Sequence, residues 1–256
     1  MTNNTDLGFV NCDIRDNIAY ITFSHPSHNS LPGKLLARLS STIEQMGYEE
    51  NVRLIILQSE GERTFCAGAS FDELAGITDF ETGKKFFLGF ANVINAMRTC
   101  PKIIIGRIQG KAIGGGVGLA CACDYTFATT FASIKLSELA VGIGPFVIGP
   151  AVQRKMQLSA FSQMALNATE FQSAEWARER GLYQELFEDA AKMDTHIAAF
   201  SKKLLASNPE ALRLLKKVFW EGTDHWGELL DERAGISGKL VLSDFTKNAI
   251  AAFKNK

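Results

Sequence analysis

The run Gly114-Gly115-Gly116-Val117-Gly118 stands between an apolar stretch, Ile103-Ile104-Ile105, and a helix-forming one, Leu119-Ala120-Cys121-Ala122. Glycine accepts backbone conformations and close approaches that a side chain forbids, so the run reads as a turn from strand to helix with unobstructed first amides. A second small-residue stretch, Cys66-Ala67-Gly68-Ala69-Ser70, follows another apolar run, Leu54-Ile55-Ile56-Leu57. Between the two glycine stretches, Phe86, Phe87, Phe90, Val93, Ile94 and Met97 recur at helical spacing, and Pro101 ends that helix. Tyr125 to Thr130 is strand-like again. This alternation of strand, helix, strand, glycine turn, helix and strand argues for an α/β layered core, with the continuous apolar strands covered on both faces.

Upstream, Ile18 to Phe23 reads as a strand, and Leu35, Leu36, Leu39, Ile43 and Met46 as one face of a helix. Beyond about residue 145 the pattern changes, and segments 173–180, 189–207, 209–220 and 225–238 read as helices. Asn208 is placed to cap one of them, with Pro209 at its first position. The expected organisation is a core over residues 1–195 and a helical region over 196–256 packed on it.

The chain has 256 residues, 46% hydrophobic and 21% charged, with a formal net charge of −1. That supports one sizeable core and offers no general attraction to nucleic acid or to an anionic membrane. The cysteines, Cys12, Cys66, Cys100, Cys121 and Cys123, are odd in number and irregular in spacing, so buried reduced thiols and a cytoplasmic setting are expected rather than disulfides. Cys121-Ala122-Cys123 lacks the two-residue gap of metal or redox pairs, and with His25, His28, His196 and His225 as the only histidines no metal site is expected. Residues Met1 to Asp6 show neither a basic nor an apolar segment of a signal peptide, and no stretch approaches the roughly 18 apolar residues of a membrane span.

The glycine run fits neither a dinucleotide-binding fingerprint nor a phosphate-binding Gly-Lys-Ser/Thr loop. What it offers is backbone N–H groups at the positive end of a helix. Two such donors, one per glycine stretch, with one carboxylate, Glu138, would surround a carbonyl and stabilise an enolate.

These residues together resemble the crotonase superfamily, also called the enoyl-CoA hydratase/isomerase superfamily. The matching motifs are Cys66 to Ser70 and Gly114-Gly115-Gly116-Val117-Gly118-Leu119-Ala120-Cys121-Ala122-Cys123-Asp124. Further matches are Asn29, Ser137-Glu138 with Gly142, and a closing Ala252-Phe253. The resemblance implies a ββα spiral with a C-terminal helical trimerisation region, a homotrimer or dimer of trimers, and an acyl-CoA thioester substrate, so that coenzyme A arrives with the substrate and no separate cofactor is needed. It places the thioester oxygen on the amides of Ala69 and Gly115, with Ala67, Gly68 and Gly114 around them. Phe253 and Lys256 match positions that touch the coenzyme A of a neighbouring subunit.

Two departures bear on the reaction. Family hydratases carry two glutamates, and the position of the first is Gly118 here, while the second is kept as Glu138. Moving a double bond needs one base that takes a proton from one carbon and returns it to another, whereas adding water uses two carboxylates. The expectation is therefore an enoyl-CoA isomerase, with a 2-enoyl-CoA hydratase or a catalytically silent acyl-CoA-binding protein as alternatives. Glu138, near Ile134, Leu136 and Phe146, should titrate above the usual carboxylate range. Phe146 stands where dienoyl-CoA isomerases and a dehalogenase branch carry Asp, so it is expected to shape the acyl pocket. Ser70 replaces a usual Asp. Trp220, Trp226 and Phe219 are expected in the core or a subunit contact, His25 and His28 as polar turn residues, and Lys202-Lys203 and Lys216-Lys217 on solvated helix faces.

Overall fold

The computed structural model describes residues 8–254, the last two by backbone alone, so the expected roles of Phe253 and Lys256 lie outside the described side chains. The larger sheet is built from β1 (Phe9–Arg15), β2 (Ile18–Ser24), β3 (Leu54–Ser59), β5 (Ile103–Ile108), β7 (Tyr125–Thr129) and β9 (Glu185–Phe187), in that order across the sheet. β1 and β2 form an antiparallel hairpin, and every later pairing is parallel. A smaller parallel sheet sets β6 (Lys111–Ile113) between β4 (Thr64–Cys66) and β8 (Ile134–Lys135).

After the β1–β2 hairpin and its helix, each of the next three turns gives one strand to the large sheet, one to the small sheet, and then helix. The helices are α1 (Gly33–Tyr48), α2 (Phe71–Ala75), α3 (Phe80–Thr99), α4 (Gly115–Ala122) and α5 (Gly149–Leu166). This is the ββα spiral that the sequence motifs lead one to expect. α6 (Ala174–Glu179) precedes β9; α7 (Ala190–Leu205), α8 (Pro209–Phe219), α9 (Trp226–Leu240) and α10 (Asp244–Lys254) follow it. Among the described residues no helix is long and apolar enough to cross a membrane.

Strand alternation divides the apolar residues between two cores. Ile55, Leu57 and Ile104 face the layer of α1, α3, α4 and α5, while Leu54, Ile56, Ile103 and Ile105 face Met193 and Ile197 of α7. Both faces of β3 and β5 are thus covered, the reason those strands are apolar throughout. The division expected at 195/196 falls inside α7, whose Met193 and Ile197 both pack on the sheet. α3 and α9 cross backbone to backbone: a Cβ on Gly83 would lie 3.1 Å from the Gly238 carbonyl oxygen.

Two expectations are corrected. Cys12 is exposed on the edge strand β1, while the other four cysteines are buried. Lys216 is not on a solvated face. Its Nζ donates to both oxygens of Asp124, at 2.9 and 2.8 Å, and to the Met97 carbonyl at 2.9 Å. Trp220 Nε1 adds a bond to the same carboxylate at 2.8 Å, and Asp124 also accepts from the Ile104 amide. Lys216 and Trp220 are four residues apart, so one face of α8 delivers both to Asp124 at the end of the glycine motif.

Candidate active site

The first glycine stretch is held by the turn before α1. Asn29, in the left-handed region at φ 56°, donates from Nδ2 to the carbonyls of Glu60 (2.7 Å) and Thr64 (2.9 Å) and accepts from the His25 amide. The Ala67 amide donates to the His28 carbonyl, and the Leu31 amide to that of Gly68. These bonds leave the next amide, that of Ala69, unengaged among the described residues. Ser70 accepts from the Glu73 amide and caps α2, whose first turn also carries Asp72 and Glu73. A cap accounts for a small hydroxyl residue here.

The second stretch begins at Gly114, whose φ of 52° and ψ of −118° suit only glycine. Its amide donates to the Lys135 carbonyl at 2.8 Å, tying the loop to β8. Gly115 opens α4 with its own N–H unpaired among the described residues, as the first turn of a helix requires. Glycine is also demanded by packing: a Cβ on Gly115 would sit 2.4 Å from the Phe90 ring, and one on Gly116 2.4 Å from the Cys66 carbonyl oxygen. The two stretches meet, since a Cβ on Gly68 would be 3.5 Å from the Gly115 nitrogen. Ala69 and Gly115 therefore present two free amides from adjoining loops.

Glu138 precedes a single 3-10 turn, Leu139–Val141, closed by the Val141 and Ile143 amides on its carbonyl at 3.2 and 3.0 Å. Its carboxyl lies against the second loop: a Cβ on Gly114 would be 3.0 Å from Oε1 and 3.4 Å from Cδ. The residue is half-buried along its stem, but Oε2 is sealed from solvent and has no hydrogen-bond partner among the described residues. Burial pushes this carboxyl up from its usual 4.5 to about 7, against a smaller lowering by the amides of Glu138 and Ser137. Ile134 and Leu136 are fully buried just upstream. Phe146 is half-buried, its ring folded back on Gly144 in the turn before α5.

Gly118 lies one helical turn along α4 from Gly115. A Cβ there would be 2.6 Å from Cγ2 of Ile148 and 3.7 Å from Cδ1 of Ile94. The wall beside the two amides is thus apolar and closed, and no side chain longer than hydrogen fits at 118 unless Ile148 moves. Sequence reasoning missed Ile148, the seat of Phe90 on Gly115 and the capping role of Ser70. For Ser70 the following Asp72-Glu73 was a usable signal; Ile148 and Phe90 reach their partners across long separations that no local pattern reports.

Two unpaired N–H donors stand on adjoining loops among the described residues, and the Glu138 carboxyl, raised to about 7 by burial, lies against the second of them. That arrangement can hold a carbonyl oxygen as charge develops on it and move one proton at a neighbouring carbon.

Comparison with known proteins shows the family. The family described as enoyl-CoA hydratase/isomerase matches residues 13–256. A Bacillus subtilis (strain 168) relative named "Probable enoyl-CoA hydratase" is 29% identical over 240 residues, covering 93% of each chain. A peroxisomal Delta(3,5)-Delta(2,4)-dienoyl-CoA isomerase of Arabidopsis thaliana is 25% identical over 252 residues, covering 92% of this chain and 89% of that one. The crystal structure of an enoyl-CoA hydratase from Bacillus halodurans superposes with a TM-score of 0.87 at 22% identity, covering 95% of this chain and 99% of that one.

Proposed function

The chain belongs to the enoyl-CoA hydratase/isomerase family, and from that premise we propose that it moves a carbon–carbon double bond along an acyl-CoA thioester. It is an enzyme of acyl-CoA metabolism; which reaction it performs is the part proposed. The thioester oxygen is received by the amides of Ala69 and Gly115. Glu138 takes a proton from C2 of a 3-enoyl thioester, the electron pair delocalises through C4 and the thioester oxygen, and the same carboxyl returns the proton to C4. The product is the 2-enoyl isomer, with no atom gained or lost. Preorganised amides of this kind are worth about 3–4 kcal/mol each to the transition state. Ala67, Gly68 and Gly114 leave room around the oxygen, and Phe146 is assigned to the acyl wall.

The observation that supports isomerisation over hydration most is the pairing of Gly118 with Ile148. Position 118 holds glycine rather than a carboxylate, and the space where a side chain on that turn would hold water is filled by an isoleucine. An apolar wall of that kind does not recruit water. A carboxyl with a pKa near 7 can both accept and return a proton at neutral pH.

The test is product identification with 3-enoyl and 2-enoyl thioesters in oxygen-18 water. The proposal expects interconversion of the two with no label incorporated. A labelled 3-hydroxyacyl product would establish hydration instead, and binding without turnover a silent acyl-CoA-binding protein. Assembly as a homotrimer or dimer of trimers is part of the same proposal; α8 leaves Leu214, Leu215, Val218 and Phe219 exposed, and sedimentation would read the state directly.

A further inference from the structure

We propose that the elbow between α9 and α10, Val241 to Thr246, braces both halves of the site, and that Thr246 is the positioning residue for Glu138. The inference rests on the reading of Glu138 as the proton carrier.

Glu138 is carried on one 3-10 turn, an element too short to hold its own geometry. Its exit is Gly142, in the left-handed region at φ 80°. The Gly142 carbonyl accepts from Thr246 Oγ1 at 3.2 Å, across more than a hundred residues of chain. Thr246 is fully buried, and its hydroxyl is oriented from behind: Ser243 Oγ donates to Thr246 Oγ1 at 3.1 Å and accepts from the Thr246 amide. The proton directions run one way, from Ser243 to Thr246 to Gly142. The seat is tight as well, since a Cβ on Gly142 would lie 2.5 Å from the Phe245 ring and 2.6 Å from Thr246 Oγ1.

The same elbow reaches the other half of the site. Val241 is buried with Ile77 and Ile143, and Leu74 and Val141 pack against them. Leu74 and Ile77 end the segment that starts just after Ala69, while Val141 and Ile143 follow Glu138. One short stretch of the helical region therefore touches the exits of both catalytic loops. Proton transfer is sensitive to such bracing, because a misplacement of about 1 Å can cost about a hundredfold in rate.

The experiment compares wild type, Thr246→Val and Thr246→Ser by the rate of α-proton exchange of an acyl-CoA in deuterium oxide. That readout needs only Glu138 and the two amides, whichever product the enzyme makes. Thr246→Val keeps the volume and removes the hydroxyl; it should lower the maximal exchange rate about tenfold or more while the half-saturating concentration stays within about twofold. Thr246→Ser should recover most of the rate. Unchanged exchange in Thr246→Val, a parallel change in rate and half-saturation, or no rescue by Ser would overturn the proposal. If Thr246→Val does not fold, Ser243→Ala carries the same test, since it leaves Thr246 in place and removes the bond that orients its hydroxyl toward Gly142; an unchanged rate there would overturn it. A wild type that exchanges no α-proton removes Glu138's role and this inference together, whereas one that exchanges and also hydrates removes only the double-bond reading.

Discussion

Asp124 and Glu138 are two carboxylates buried fourteen positions apart in the chain, and the fold treats them oppositely. Asp124, with its side chain 1% exposed, takes hydrogen bonds from Lys216, Trp220 and the Ile104 amide. Around it, Lys155 Nζ donates to the carbonyls of Cys123 and Asp124, and Arg154 stacks 3.8 Å over the Trp220 ring. Among the described residues, Glu138 has only nearby backbone amides to stabilise its charge, and its Oε2 has no partner. A buried carboxylate with paired oxygens is a bolt: it fastens α8 to the end of the glycine motif. One left under-paired keeps its proton into the neutral range, as a group that hands protons to carbon must.

The largest way to break this contrast is to unpair the bolt. Asp124→Ala leaves the Lys216 ammonium buried without its counter-charge and should destabilise the chain by about 3–5 kcal/mol in denaturant unfolding. Replacing the pair together, Asp124→Asn with Lys216→Met, should recover much of that loss. A cost below about 1 kcal/mol for Asp124→Ala would mean the pair is no bolt.

The under-paired acid should behave in the reverse sense. A carboxyl that ionises near 7 in the fold and near 4.5 in the unfolded chain has matching protonation in both states below pH 4.5. As pH rises from there to about 7, the unfolded chain releases the proton first, so stability falls, by about 2–3 kcal/mol at the upper end. Glu138→Gln removes this loss. Set against its own difference from wild type at pH 4, the variant should gain about that amount by pH 8, measured by urea melts at the two pH values. Identical pH profiles would show that the carboxyl carries no such strain.

The smallest effect sharpens the comparison at the wall beside the acid. Gly118→Ala should cost about 1–3 kcal/mol through overpacking on Ile148, and Ile148→Ala in the same chain should relieve part of it. Strictly additive effects in the double variant would contradict the contact.

Much of this was legible in the sequence because local rules carried it. The stripe from Phe86 to Met97 lies within α3, and the apolar runs at Leu54 and Ile103 became doubly covered strands. The glycine run is a strand-to-helix turn because Gly114 needs its φ and Gly115 and Gly116 have no space for a side chain. α5 escaped notice: it opens on Gly149-Pro150 and is interrupted at Gln157, where φ is 67°, so its apolar residues keep no single phase. β1 was missed because as an edge strand it is exposed from Asn11 on and mixes polar with apolar residues. Lys216 looked solvated beside Lys217, although Leu212, Lys216 and Trp220 share one face of α8. Thr246 and Ile148 act through contacts far apart in sequence, and their neighbours give no hint of them.

The central claim is that one acid beside two backbone amides moves a proton at the carbon next to a thioester. Its most direct test is Glu138→Gln, followed by α-proton exchange in deuterium oxide alongside acyl-CoA binding. The account predicts that exchange falls by at least about a thousandfold while affinity stays within about threefold. Exchange at the wild-type rate in a folded, acyl-CoA-binding Glu138→Gln chain would contradict it.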